Sequence, residues 1–129
     1  MALEFELKQL FQKSNYDCGH TCLEMLGYNG HEMFSGREMT SGDMRSIPGV
    51  REVTVPIGLE ETLDYNLPHV WAILPKPRFA TRTSGHFVIR YKEKIFCPRV
   101  GTVDSKEYKK KYVAFVMQEF LVPFNKSTF

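Results

Sequence analysis

Three stretches in the second half of the chain carry the apolar pattern of β-strands. Residues 69–74 form an apolar run between two prolines, which predicts a buried strand. Residues 87–91 and 94–96 flank a two-residue polar turn, and this spacing predicts a β-hairpin. Residues 112–122 are apolar enough for a final strand or helix, and the pattern alone leaves the two open.

The clearest helix signal lies near the start of the chain. Asp17 is a good N-cap for a helix over residues 18–26, and Gly27 ends it. Weaker patterns predict helices at 38–45, 59–65 and 104–111 and a short strand at 52–56, while 3–11 is open between strand and short helix. The mixture predicts an α+β fold in which a helix packs on an antiparallel sheet.

Composition sets outer limits on the function. The 129 residues predict one domain. The formal net charge is +2, so we do not expect nucleic acid as a partner from charge alone. No apolar run approaches 18 residues and no signal-peptide pattern is present, so no membrane partner is expected. Three cysteines form no disulfide framework, and we expect a cytoplasmic protein in a reducing compartment.

Candidate chemistry begins at the start of the first predicted helix. Cys18 would stand at the helix N-terminus, where unpaired backbone N–H groups and the helix dipole stabilise a thiolate. Gln12 lies six residues earlier and can return alongside the thiol to donate amide hydrogen bonds. These are the parts of a cysteine nucleophile and its oxyanion hole.

A candidate base for this nucleophile lies far along the chain. His86 follows Gly85 and begins the strand predicted at 87–91. A histidine on a strand facing a cysteine at a helix end is the papain-type arrangement, and the order of cysteine before histidine agrees with it.

Together these residues closely resemble the C39-like cysteine peptidases, papain-fold proteases related to bacteriocin-leader-processing domains. The family pattern is a glutamine, a DCG-type nucleophile motif, a His-Phe-Val-Val-like strand and a DPxxG-like turn. The matching segments here are Gln12, Asp17-Cys18-Gly19, Gly85-His86-Phe87-Val88-Ile89 and Cys97-Pro98-Arg99-Val100-Gly101. The resemblance runs over residues 10–120, and it implies a papain-like fold with a Cys18–His86 pair and Gln12 in the oxyanion hole.

One position departs from the family. The resemblance implies that an aspartate at the position of Cys97 would orient His86. A neutral thiol is a weak acceptor and cannot stabilise an imidazolium. Asp104, seven residues later, is a candidate replacement. The third member of the site is therefore Cys97, Asp104 or neither.

Simpler interpretations stand beside the catalytic one. Cys18 is compatible with a buried structural thiol and His86 with a half-buried strand histidine. The family order of Gln12, Cys18 and His86 favours catalysis. We predict that Cys22 packs in the core.

The basic run at 106–111 also has two interpretations. We predict that it is a solvated helix face rather than a site for an acidic partner or nucleic acid.

A metal site was tested against the same segment. His20 lies off the helix face that Cys18 and Cys22 share, and no second ligand pair completes a tetrahedral set. We therefore expect no metal and no cofactor, and we predict that His20 and His31 are exposed.

The resemblance implies a cysteine peptidase that cleaves a peptide or isopeptide bond through a Cys18 acyl-enzyme. A phage or bacterial effector acting on a host protein is one such enzyme. The alternative is a catalytically impaired relative that binds a partner protein or peptide in the old cleft, which the aspartate loss favours. The substrate and the oligomeric state stay open.

Overall fold

A curled, antiparallel sheet of six strands dominates the fold in the computed structural model, which describes residues 7–56, 58–76 and 85–125. The strands are β1 (Arg51–Val53), β2 (His69–Pro75), β3 (His86–Tyr91), β4 (Lys94–Cys97), β5 (Gly101–Asp104) and β6 (Val113–Leu121). Their order across the sheet is β1-β6-β2-β3-β4-β5. The helices within the described residues are α1 (Cys18–Met25), α2 (Gly30–Met33), α3 (Ser41–Arg45) and α4 (Ser105–Tyr112), with a 3₁₀ turn at Glu60–Thr62.

The predicted central strands are confirmed. β2 lies between β3 and β6, so its apolar run is buried on both faces of the sheet. β3 and β4 form the predicted hairpin, with Tyr91 opposite Lys94. Its tight turn places Lys92 at φ 54°, in the left-handed region. The stretch 112–122, left open between strand and helix, is β6, because its backbone pairs with both β2 and β1.

The first predicted helix is confirmed as α1. It ends before Gly27, whose φ of 94° is a conformation that favours glycine. Leu23 and Leu26 are fully buried in the core that fills the space between α1 and the sheet. Asp17 holds the N-cap position, but its carboxylate turns back to accept hydrogen bonds from the Lys13 and Ser14 backbone N–H groups. This contact fixes the loop that leads into α1.

Several weaker elements differ from the predictions. The helix at 38–45 shortens to α3, because Thr40 forms a capping box with Asp43. The helix at 59–65 is a single 3₁₀ turn, and the strand at 52–56 is the three-residue β1. Neither β5 nor α2 was predicted. Residues 7–11 form no regular element, while residues 3–6 lie outside the described residues.

Two polar predictions need correction. His20 is not exposed: 2% of its surface is accessible, and its Nε2 lies 2.7 Å from the Phe34 carbonyl oxygen. The α2 turn folds over it, and the His31 ring stacks on it. The basic run at 106–111, which lies in α4, is not wholly solvated either. Lys109 Nζ lies 2.6 Å from the carboxylate of the buried Glu60. Within the described ranges, no helix has the length and apolar character needed to cross a membrane.

Candidate active site

Cys18 is the first residue of α1 and its side chain is nearly buried, with 5% of the residue exposed. Burial raises the pKa of its thiol, although hydrogen bonds from the backbone of Phe87 and Gly19 act in the opposite direction. Nearby Glu38 and Cys97 raise that pKa further by like-charge repulsion. At neutral pH Cys18 is therefore a protonated thiol whose sulfur faces the backbone next to His86.

His86 is the first residue of β3, and its backbone pairs with Ile73 of β2. Burial, with the nearby charge of Arg99, lowers the pKa of the His86 ring to about 4. The imidazole is consequently neutral at neutral pH. Its Nε2 lies 3.4 Å from the Cys97 sulfur.

The hairpin register explains why His86 and Cys97 meet. Ile89 pairs with Phe96, so continuing the antiparallel ladder sets Val88 opposite Cys97. His86 lies two residues from Val88 and therefore on the same face of the sheet, as a diagonal neighbour of Cys97. The structure thus brings together the two residues that the resemblance placed side by side.

Cys97 is fully buried at the end of β4. Besides His86, its sulfur contacts the Tyr108 hydroxyl at 3.2 Å and the backbone nitrogens of Arg99 and Val100 at 3.4 Å each. Burial raises the pKa of this thiol, and the hydrogen bonds from Tyr108 and the two N–H groups oppose that rise. Cys97 is therefore a thiol surrounded by donors.

Tyr108 is a member of this site that the sequence analysis missed. It projects from α4 and is fully buried, although its neighbours along the chain are charged. A signal was present, since Tyr108 and Tyr112 are four residues apart and form the one aromatic pair on an otherwise polar helix. That spacing marks the helix face that packs on the sheet.

Gln12 lies beside the turn that follows Cys97. Its backbone N–H donates to the Pro98 carbonyl oxygen at 2.8 Å. Its side-chain Nε2 donates to the Ser14 carbonyl oxygen at 2.6 Å, and Oε1 is buried without a hydrogen-bond partner among the described residues. Gln12 is near the candidate site, and one of the two N–H donors of its side-chain amide is engaged by Ser14.

Asp104 is not brought to the site. Its carboxylate caps α4 by accepting hydrogen bonds from the Lys106 and Glu107 backbone N–H groups. Asp104 pairs with Lys94, three residues along the β4–β5 ladder from the pair of Cys97 and Gly101, a distance of about 10 Å. The exposed cap explains this aspartate without a role beside His86.

A pocket of about 320 Å³ opens beside His86. Apolar side chains and one carboxylate line much of it: Glu38, Met39, Ala72, Phe87 and Met117. Met39 also packs over the start of α1, because a side chain added at Gly19 would come within 3.1 Å of it. The pocket therefore gives a ligand access to the His86 end of β3.

No protein-family model matches this chain, and no curated protein is a significant match to it. The three cysteines are free thiols. In the described part of the chain, no group of three or more His, Cys, Asp or Glu side chains could hold a metal ion. The arrangement of Cys18, His86 and Cys97 is thus the basis on which a function can be argued.

Proposed function

We propose that this protein is a thiol hydrolase with a papain-like fold, acting on a peptide or isopeptide bond. The observation that carries the proposal is the 3.4 Å contact between His86 Nε2 and Cys97 Sγ. This contact supports the proposal because position 97 matches the orienting residue of C39-like peptidases, although it is a thiol here rather than their aspartate. Cys18, at the start of α1 and beside the Phe87 backbone, is the proposed nucleophile.

The proposed reaction has two steps. Cys18 Sγ attacks the substrate carbonyl carbon while His86 Nδ1 takes the thiol proton. The oxyanion is stabilised by the Cys18 backbone N–H and by Gln12 Nε2, which carries a second N–H besides the one donated to the Ser14 carbonyl. The amine departs with the proton from His86, and water activated by His86 then hydrolyses the thioester to release the acid and the free thiol.

The pocket beside His86 is the proposed substrate cleft. Its two methionines, Met39 and Met117, contribute apolar surface, and Glu38 adds a negative charge near Cys18. A peptide with a small residue, such as glycine, at the cleaved bond fits such a cleft. This choice follows the leader-processing relatives by analogy.

A second candidate function is peptide or protein binding in the same cleft without catalysis. One observation favours it: the Cys18 thiol and the His86 ring are both neutral at neutral pH, since the pKa of the first is raised and that of the second is lowered. A thiolate–imidazolium pair is therefore not formed in advance. A hydrolase must transfer the Cys18 thiol proton to His86 during the attack, whereas a binding protein requires no such transfer.

An activated ester separates the two candidates. p-Nitrophenyl acetate transfers its acetyl group to a reactive thiol and releases p-nitrophenolate. For a hydrolase, we expect mass spectrometry to find acetyl on Cys18 before Cys22, a thiol one turn later on α1 that is fully buried. We also expect the thioester to be hydrolysed faster than in a His86→Ala variant, when measured from neutral to alkaline pH.

The Cys18→Ser variant is the matched control for background hydrolysis. Acetylation of Cys18 without His86-dependent turnover at any pH would contradict the hydrolase and support the binding protein. Equal acetylation of Cys18 and Cys22 would contradict a nucleophilic role for Cys18 altogether.

A further inference from the structure

Cys97 has four hydrogen-bonding neighbours in the described part of the chain, and they differ in what they can do. The Arg99 and Val100 backbone N–H groups can only donate. The Tyr108 hydroxyl is buried, and Cys97 is its one hydrogen-bond partner among the described residues, so it must donate to the sulfur to avoid an unpaired buried donor. These three contacts all use the sulfur as an acceptor.

The proton of the Cys97 thiol therefore has one acceptor among these neighbours, which is His86 Nε2 at 3.4 Å. A nitrogen that accepts a hydrogen bond carries no proton. In a neutral imidazole the proton then resides on the other nitrogen, Nδ1. An aspartate at position 97 would have the opposite effect, because an acceptor-only carboxylate requires Nε2 to carry the proton.

We propose that Cys97 is a positioning residue that sets the tautomer of His86 by its own protonation state. As a thiol it donates to Nε2 and holds the proton of the ring on Nδ1. As a thiolate it accepts from Nε2–H, and Nδ1 becomes an acceptor. The role of this switch in catalysis rests on the proposed function, whereas the tautomer assignment rests on the contacts around Cys97 alone.

The switch controls the step in which Cys18 loses its proton. Nδ1 can take that proton only when it carries none, so the hydrolase is blocked while Cys97 is a thiol and released once it ionises. The groups facing Cys97 come from three elements and a turn: His86 from β3, Tyr108 from α4, Cys18 and Cys22 from α1, and Arg99. Burial opposes the thiolate, whereas Tyr108, the charge of Arg99 and the two backbone N–H groups favour it.

Nitrogen NMR of protein labelled at histidine tests the assignment directly, because protonated and unprotonated ring nitrogens have well-separated shifts. A His86→Gln variant identifies the His86 signals. At neutral pH we expect Nδ1–H in the wild type. As the pH rises through the raised pKa of Cys97, the proton should move to Nε2.

Two substitutions at one position sharpen the test. Cys97→Asp should give Nε2–H already at neutral pH. Cys97→Ser is the matched control, because a hydroxyl can still donate to Nε2 and should retain Nδ1–H. Acetylation of Cys18 at neutral pH should be at least about tenfold faster with aspartate than with serine, since general-base catalysis contributes roughly 10²- to 10⁴-fold.

Nε2–H in the wild type at neutral pH, or the same tautomer in both variants, would overturn the proposal. If the tautomers differ as expected but Cys18 reacts equally in both, the control by Cys97 holds and the hydrolase is refuted. If Cys97→Asp does not fold, Tyr108→Phe replaces it. Loss of one donor to the sulfur should move the tautomer change to higher pH, and an unchanged midpoint would count against the proposal.

Discussion

Two histidines in this molecule lie in opposite electrostatic surroundings. His31 Nε2 lies 2.9 Å from an Asp17 carboxylate oxygen, and Nδ1 contacts the Glu24 carboxylate. Burial alone would lower the pKa of His31, but the hydrogen bonds and charges of both carboxylates raise it. At His86, burial and the nearby charge of Arg99 act in the same direction and lower the pKa to about 4.

The contrast shows two different balances: burial dominates the pKa of His86, whereas at His31 two carboxylates outweigh burial. Asp17 precedes the candidate nucleophile directly in sequence, yet its carboxylate turns to His31 and to the Lys13 and Ser14 N–H groups. The histidine with the raised pKa therefore contacts the loop before α1, while the ring at the candidate site has a lowered pKa. The following predictions test this contrast.

The largest expected effect is a loss of stability on acidification that depends on His86. The folded-state pKa of His86 lies below the unfolded value. At a pH between these two values, the unfolded chain binds a proton on His86 and the folded chain does not. The free energy of unfolding should fall as the pH drops from about 6.5 towards 4, by up to about 3 kcal/mol. Urea unfolding over this pH range measures it. The His86→Gln variant should lose most of this slope, and an equal slope in both proteins would show that the ring is not buried as a neutral group.

The second effect concerns Asp17. Several donors and His31 hold the pKa of this carboxyl at about 2 against the effect of burial. Asp17→Asn turns an amide N–H towards one of these donors and removes the charge, so we expect a loss of about 2 kcal/mol in the free energy of unfolding near neutral pH. Asp64→Asn is the control, because Asp64 is exposed and accepts one backbone hydrogen bond. A loss no larger than in this control would mean that the loop before α1 does not depend on the carboxylate.

The smallest effect concerns His31. Its folded-state pKa is raised, so its stabilising contribution is complete below about 6.5 and is lost as the pH rises through the higher, folded-state value. The side chain is 40% exposed, and solvent screening limits the expected loss to well under 1 kcal/mol. Proton NMR titration of the ring is the more sensitive measurement. We expect the His31 midpoint above, and the His86 midpoint below, that of an unstructured histidine, and the reverse order would invalidate the comparison.

Much of the sheet could be predicted because its signals are local. The apolar run of β2 and the two-residue turn between β3 and β4 are visible in sequence. That turn also fixes the register, so the meeting of His86 and Cys97 follows from the spacing of the hairpin. Here the resemblance and the backbone geometry lead to the same pair.

Contacts between separate elements were not predictable in the same way. The burial of His20 depends on α2 folding back over α1, and the contact of Tyr108 with Cys97 depends on α4 packing on the sheet. Neither follows from periodicity within one element. The engagement of Gln12 with Ser14 is a rotamer choice that no sequence pattern encodes.

The hairpin also has a consequence for the order in which this site assembles. His86 and Cys97 are 11 residues apart and meet through one tight turn, and hairpins of this kind form in about 1–10 μs. Cys18 reaches the same hairpin only by closing a loop of more than 60 residues, which is an entropically later event. During folding, we therefore expect His86 and Cys97 to meet before Cys18 arrives, and the docking of α1 to be the step that completes the candidate site.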